Sequence, residues 1–574
     1  MNKIEEQVIA RSRISLLMLG VILLVAILGL RLFQKQVIQH DFYIAQAKSQ
    51  HIARQEIPAE RGKIFVTDFY DQSLYPLATN NTLYAVSLVP NQIRNKVEMA
   101  SRLGPMIGKA SGELLDALNK SKYYLPPVAR GLSKEEADKI IQLKEDYDLD
   151  GLYLIPEYLR DHPEKEMAAH VLGFVDSDNE GRYGVEGFYN QQLKGEAGRL
   201  LVEKDVMGRQ IAVASRNFVP PRNGKSILLT IDRVLQSVAE QKIQEAVKRH
   251  AADGGSIIIM DPKDGSILAM ASYPTFNPNE YQKVENYDTF NNPATAKSYE
   301  PGSVFKIFTM AAALDTGKIT PETTETFGAS VQIGEHTIYT SDKKAHGTIT
   351  MTQALELSDN VALVWVERLL GSSIFHKYIK LFGFGTSTGI DVDGETFGLV
   401  KGVEEALEID NATMSFGQGI AVTPIQLITA VSAIANGGKL IQPHLIRAFV
   451  DEAGNFDEVK PKIVRQVIAP STAAALTQMM VSVVERGHGQ QAGVKGYRVA
   501  GKTGTAQIPL PTGGYDKNNT IGSFAGFAPA DDPKFAMLVK IDKPKDVIWA
   551  ESTAAPVFGE LASFMLDYFQ IPPR

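Results

Sequence analysis

Ile307-Phe308-Thr309-Met310-Ala311-Ala312-Ala313-Leu314 is a run with no polar face, and the residue before it is a lysine. A helix that is apolar on every side has to lie in a core. Leading into it is Tyr299-Glu300-Pro301-Gly302-Ser303-Val304-Phe305-Lys306, where a Pro-Gly turn runs straight into a serine. Residues three apart share a helix face, so Ser303 and Lys306 point the same way. An ammonium in such a helix is costly unless something needs it there. The simplest use is a neutral amine that takes a proton from a serine nucleophile.

The chain around this stretch has 574 residues, enough for two or more domains and a large core. Its composition, 44% hydrophobic and 22% charged, is that of a globular protein. A net charge of −7 gives no support to nucleic-acid binding. The absence of cysteine removes disulfides, thiol catalysis and Cys-ligated metals. Ten histidines are present without an H-E-x-x-H or similar spacing, so neither a metal nor a cofactor is expected.

Ile14 to Leu30 carries no charge, is bracketed by Arg13 and Arg31, and is extended by Leu32 and Phe33. This predicts a membrane span at the short end of the usual range. No A-x-A-like cleavage site follows, so a retained signal anchor is expected over residues 14–33, after a tail of residues 1–13. A buried core helix is the alternative. Lys3, Arg11 and Arg13 precede the run and Arg31, Lys35 and Lys48 follow it, so charge bias leaves the orientation open. An N-terminus in the cytoplasm is expected because the chemistry below belongs outside.

Gln34 to Gln55 reads as a helix or stalk. Residues 34–224 show mixed patterning and no catalytic cluster, which predicts a pedestal or interaction domain. Within it, residues 57–65 read as a turn and then a strand, Lys134 to Asp146 as a helix, and Gly173 to Gly181 as a loop. A boundary is expected near Pro220-Pro221-Arg222-Asn223-Gly224. From residue 225 to 574 the pattern becomes regular. Ile231–His250 reads as a helix, and 256–260 with 266–270 as an antiparallel hairpin across Asp261-Pro262-Lys263-Asp264-Gly265. Met351–Leu357 and Val361–Leu370 read as helices joined by Ser358-Asp359-Asn360. Ser415-Phe416-Gly417-Gln418-Gly419 is a bend, Gln426–Ala435 a helix, 497–506 and 535–541 strands, and 556–569 a closing helix. Few strands with grouped helices predict an α+β fold, an antiparallel sheet flanked by helices.

Three short patterns stand in order: Ser303-x-x-Lys306, Ser358-Asp359-Asn360 and Lys502-Thr503-Gly504. Ser341-Asp342-Lys343-Lys344 also fits S-x-x-K, and Ser177-Asp178-Asn179 also fits S-D-N, but both sit in polar, loop-like text. Only the first set combines order, spacing and setting. Lys306 can act as a base only if burial and nearby positive charge lower its pKa, and Lys502 would supply that charge. Ser358 bridges the lysines and passes a proton to the leaving amine. Asn360 holds a substrate carbonyl or orients Lys306. Asp359 faces away and supports the loop. Gly504 lets a substrate backbone approach the strand. Thr503 and Thr505 alternate away from Lys502 and offer hydroxyls to a carboxylate. The backbone N–H groups of Ser303 and Thr505 form an oxyanion hole.

At these residues the chain resembles the class B penicillin-binding proteins, whose signature the triple is. Arg61-Gly62-Lys63-Ile64, Gly173-Phe174-Val175, residues 184–189, Gly417-Gln418-Gly419, Thr423-Pro424-Ile425-Gln426 and Lys502 to Gln507 join the likeness. It therefore covers nearly the whole chain. Glu300 before Pro301 is more similar to the division-specific, FtsI-type branch than to the elongation branch. The resemblance implies a membrane-anchored peptidoglycan D,D-transpeptidase. Ser303 would attack the D-Ala-D-Ala bond of a stem peptide and pass the acyl group to a neighbouring stem amine, and β-lactams would acylate the same serine. It also implies a SEDS-type glycan polymerase and division proteins as partners, the cytoplasmic membrane as location, and an extracytoplasmic catalytic domain. Two places depart from the family pattern: Phe65-Val66-Thr67-Asp68-Phe69-Tyr70-Asp71-Gln72 is longer than the usual turn, and Arg160-Asp161-His162-Pro163 replaces Arg-x-Tyr-Pro. No repeats follow the last motif, so C-terminal peptidoglycan-binding modules are not expected.

A β-lactamase would share the serine and both lysines. Its class A form uses E-x-x-L-N, which Glu404-Glu405-Ala406-Leu407-Glu408 fails at its last position. A D,D-carboxypeptidase would use the same site with water as acceptor. A β-lactam sensor or scaffold would not need both lysines, and too few residues precede Ile14 for a signalling output.

Overall fold

The computed structural model describes residues 3–43, 52–120, 125–203, 217–510 and 514–573. The chain forms two compact units. The first comprises Met1–Ala59, Thr82–Leu159 and Glu196–Arg222; the second comprises Glu60–Asn81, Arg160–Gly195 and Asn223–Arg574.

The first unit begins with the helix Lys3–Phe33. An apolar stretch that starts in it at Arg13 runs past its end to Ile38, 26 residues with no part buried, about 39 Å at the rise of an α-helix. Leu, Ile and Val side chains point outward around the whole circumference. The buried-core alternative is thereby excluded, and the helix has the length and composition of a single membrane anchor. The stalk read over Gln34–Gln55 is only partly seen. Gln34–Ile38 continues as a π-turn, residues 44–51 lie outside the described residues, and Ile52–Ile57 is a strand paired with Gly198–Glu203. The rest of this unit packs the helices Lys96–Met106, Ser111–Lys120 and Lys134–Asp146 around Val86, Leu88, Leu103, Leu118 and Ile140. Ser133 and Glu136 close a capping box at the start of the third helix.

The second unit is built on a five-stranded antiparallel sheet. Its order is Ile267–Tyr273, Gly254–Met260, Phe535–Asp542, Tyr515–Ala528, Ala500–Pro509. Alternation along the strands makes two buried faces. Ile257, Ile259, Met537 and Val539 pack with the helices Arg233–Arg249 and Ala554–Tyr568. Ile258, Met260, Ala536 and Leu538 face the other way, with the helices Lys306–Asp315 and Pro424–Ala435. This is the α+β arrangement expected. The strand Tyr515–Ala528, next to the edge strand, and the helix Pro470–Arg486 escape the sequence patterning. Asp516, Lys517, Asn518 and Asn519 open that strand and two glycines interrupt it, so it lacks an apolar alternation. The loop read at 173–181 contains a small hairpin, Phe174–Val175 with Gly181–Arg182.

The two departures from the family pattern have structural roles in this unit. In the longer turn, Phe69 N donates to the Tyr568 hydroxyl at 3.0 Å. The Tyr70 hydroxyl donates to Tyr568 O at 2.8 Å, and the Phe69 and Tyr70 rings pack against that tyrosine. Of these, Tyr70 meets Tyr568 edge-on and Phe69 meets it at a tilt, so the bonds and ring contacts together pin the turn to the last helix. In the altered Arg160–Pro163 segment, His162 N donates to Asn279 Oδ1 at 2.9 Å, and Asn279 Nδ2 donates back to His162 O at 2.9 Å.

A buried ion cluster lies where sequence patterning shows no constellation. Arg61 Nε donates to Glu186 Oε2 at 2.8 Å and Arg160 Nε to Glu186 Oε1 at 2.7 Å. Their outer nitrogens reach Asn190 Oδ1 at 2.9 Å and Asn80 Oδ1 at 3.0 Å. All three charged side chains are buried.

Candidate active site

Ser303 sits in a tight 3₁₀ turn, Gly302–Phe305, rather than on the α-helix itself, which starts at Lys306. The expected alignment survives because side chains three apart eclipse one another in a 3₁₀ turn. Every residue of the helix from Lys306 to Ala313 is buried. The turn is crowded on two sides by backbone. Gly302 N donates to Gly417 O at 3.0 Å. A Cβ on Gly417 would stand 2.1 Å from Gly302 O, and one on Gly504 would stand 2.5 Å from Pro301 O. This corrects the reason given to Gly504. The missing side chain lets the sheet's edge strand lie against the serine turn, and Gly504 is not among the residues lining the cleft. Glu300 completes the fastening, accepting from Gly419 N at 2.9 Å and from the Tyr515 hydroxyl at 3.3 Å.

The three motifs meet around two buried amines. Lys306 Nζ lies 2.5 Å from Ser358 O, 2.8 Å from Asn360 Oδ1 and 3.1 Å from Ser358 Oγ. Lys502 Nζ donates to the same Ser358 Oγ at 3.0 Å. Both lysine side chains are fully buried. Ser358 has φ of +52°, the left-handed region, which turns its carbonyl and hydroxyl toward one amine. Such a backbone costs a non-glycine residue about 1 kcal/mol or more. Asn360 Nδ2 donates to Tyr339 O at 2.9 Å, which leaves Oδ1 facing Lys306.

Burial, and then the charge of Lys502, hold the Lys306 amine well below its ordinary value, against the pull of Asp359. These are the two causes named from the sequence, and burial is the larger. Burial also brings Lys502 down to about 7, with Glu551 opposing. Asp359 faces away from the amines, as expected. It caps the helix Asn360–Leu370 by accepting from Ala362 N at 2.9 Å.

The amines lie beside a cleft of about 410 Å³ lined by Ser303, Ser358, Asn360, Thr503 and Thr505. Thr505 Oγ1 accepts from Ala550 N at 3.0 Å, so its proton stays available to a ligand. Thr503 Oγ1 lies 3.4 Å from Lys502 Nζ. Sequence reasoning missed His346, Phe416, His488, Trp549 and Glu551, which also line the cleft. Phe416 lies in the Ser415–Gly419 bend but carries no chemistry of its own, the others belong to no short motif, and the fold assembles the five from four separate segments. Ser341 and Asp342, set aside as a decoy, line the cleft too. Their polar setting was read correctly, since both are exposed. Among the described residues, no cluster of three or more His, Asp or Glu forms a candidate metal site.

Comparison with known proteins places this geometry in a family. Residues 255–563 match the penicillin-binding protein transpeptidase domain, and residues 56–229 match the penicillin-binding protein dimerisation domain. Stage V sporulation protein D of Bacillus subtilis is 34% identical over 573 residues, which is 99% of this chain and 87% of that protein. Peptidoglycan D,D-transpeptidase FtsI of Escherichia coli is 30% identical across 98% of this chain and 92% of its own length. The crystal structure of penicillin-binding protein 3 of Mycobacterium tuberculosis complexed with aztreonam is similar with a TM-score of 0.70. It is 26% identical and the match covers 91% of this chain and 98% of that one.

Proposed function

The chain belongs to the class B penicillin-binding proteins, peptidoglycan D,D-transpeptidases acting as serine acyltransferases, and from that premise we propose that Ser303 is its nucleophile and Lys306 its general base. The observation that carries the proposal is the pair of buried amines sharing Ser358 Oγ beside the cleft that Ser303 lines. A neutral Lys306 has two protons and one lone pair. Ser358 O and Asn360 Oδ1 only accept, so of the three oxygens around Nζ only the Ser358 hydroxyl donates to the lone pair. The Ser358 oxygen in turn accepts from Lys502. Rotation of that hydroxyl frees the lone pair for the Ser303 proton.

In the first half-reaction Ser303 Oγ bonds to the penultimate D-alanine carbonyl carbon and its proton passes to Lys306 Nζ. The C–N bond to the terminal D-alanine then breaks, and its nitrogen takes the proton through Ser358. The backbone N–H groups of Ser303 and Thr505 carry the oxyanion, each worth about 10²–10³ in rate. Thr503, Thr505 and charged Lys502 bind the terminal carboxylate, and Gly504 keeps their strand close to the serine turn. In the second half-reaction a neighbouring stem amine attacks the acyl carbon, gives its proton to Lys306, and Ser303 leaves with that proton restored. A β-lactam enters by the same first step, its ring amide opening in place of the D-Ala-D-Ala bond.

Residues 1–13 are read as a cytoplasmic tail, 14–33 as the anchor, 34–224 as the pedestal and 225–574 as the transpeptidase domain outside the cytoplasmic membrane. Septal wall synthesis is the proposed setting, supported by relatives named FtsI. A SEDS-type polymerase and division proteins are the proposed partners, by family resemblance.

The test is a donor pentapeptide offered to the detergent-solubilised full chain with and without an amine acceptor. D-Alanine release with a cross-linked product is expected. Release with a free tetrapeptide alone, at every acceptor concentration, would replace transpeptidation by D,D-carboxypeptidase activity.

A further inference from the structure

Two bonds tie the cleft wall at Tyr339–His346 to the turn that grips Lys306. One is Asn360 Nδ2 donating to Tyr339 O at 2.9 Å. The other joins His346 Nδ1 and Asp359 Oδ2 at 2.6 Å. The opposite nitrogen, His346 Nε2, lies 3.4 Å from Asp342 Oδ1. The imidazole is thus placed between two carboxylates, one fully buried and one 44% exposed at the cleft mouth. Nδ1 makes the hydrogen bond, and Nε2 stands at ion-pair distance from Asp342, so a protonated ring would face a carboxylate on each side.

Asp359 occupies the middle of the motif. Its neighbours Ser358 and Asn360 supply the oxygens hydrogen-bonded to Lys306 Nζ among the described residues. Its carboxylate favours a charged Lys306, the form that cannot act as a base. A cation bonded to Asp359 reduces that effect. Hydrogen bonding at both carboxylate oxygens, from His346 and Ala362 N, also fixes the turn.

We propose that His346 is a positioning residue for the acyl transfer: it bridges Asp342 and Asp359, locks the Ser358-Asp359-Asn360 turn to the cleft wall, and offsets the Asp359 charge so that Lys306 stays an amine. The inference rests on Lys306 being the base. The charged and titratable groups around His346 are Asp342 on its own segment, Asp359 on the turn, Lys306 and Lys502 behind that turn, and His488 and Glu551 lining the same cleft. A purely structural clamp would lower activity equally at all pH values. A charge offset would instead move the pH at which acylation switches on, because an uncompensated Asp359 keeps Lys306 protonated to higher pH.

The experiment measures second-order acylation of the full chain by a fluorescent penicillin from pH 5 to 10. His346→Ala removes bond and charge; His346→Asn keeps an N–H donor at the Nδ1 position for Asp359 without the charge and guards against loss of folding. In both, the acid-side midpoint is expected to rise by about one pH unit, the size of a nearby charge effect. Rates well below the midpoint then fall about tenfold. An acid-side midpoint unmoved in His346→Asn overturns the proposal, whatever the amplitude. Absence of any acid-side limb in the wild-type protein would strike the assignment of Lys306 instead, so the two failures are distinguishable.

Discussion

Acylation of Ser303 by a fluorescent penicillin is expected to slow by about 10²–10⁴-fold when Lys306 is replaced by alanine, the range for loss of a general base. The substitution removes the proposed acceptor of the serine proton. It also deprives Ser358 O and Asn360 Oδ1 of their shared donor. The hole is small and beside a solvent cleft, so water can reach both oxygens and the fold is expected to persist. Initial non-covalent binding should change far less than the acylation rate, because Thr503, Thr505 and Lys502 remain. Stopped-flow measurement over a range of penicillin concentrations separates the two. A variant that keeps a wild-type limiting acylation rate would remove Lys306 from the mechanism.

A second large effect is expected far from the chemistry. Glu186→Gln leaves the Arg61 and Arg160 guanidiniums buried side by side without their shared counter-charge. Breaking a buried ion pair by removing one partner costs about 3–5 kcal/mol. Chemical unfolding followed through Trp365 and Trp549, both in the same compact unit, should show a clearly lower midpoint. The pH dependence has a definite sign. Burial works against the Glu186 charge, but Arg160 and Arg61 hold its carboxyl below the usual 4.5. A group depressed in the folded state stabilises above its unfolded value and loses that contribution as pH falls through the folded one. The wild-type protein should therefore lose this contribution below pH 4.5, and Glu186→Gln should show none of that loss. Equal midpoints for variant and wild type at pH 7 would contradict the account.

The contrast between these two sites explains what could be read from the chain alone. Ser303, Lys306, Ser358, Asn360 and Lys502 were legible because each lies in a short motif whose setting is itself patterned: an apolar helix, a junction between helices, an alternating strand. Arg61, Arg160 and Glu186 lie far apart in sequence and only the fold joins them. His346 was invisible for the same reason; its partner Asp359 is thirteen positions on, across a strand and a helix. Gly504 was noticed for the right property and the wrong neighbour. Chain text shows that a side chain is absent, and only the packed structure shows that Pro301 O fills the space. The strand Tyr515–Ala528 was missed because it is buried by its neighbours rather than by its own apolar alternation.

The central claim is that Ser303, and no other serine in the cleft, becomes acylated. The direct measurement is mass mapping of the full chain after reaction with penicillin. The account predicts one adduct, carried by the peptide containing Ser303 and absent from Ser303→Ala, while Ser341→Ala is labelled like the wild type. An adduct that persists in Ser303→Ala, or that maps to Ser341, would contradict it.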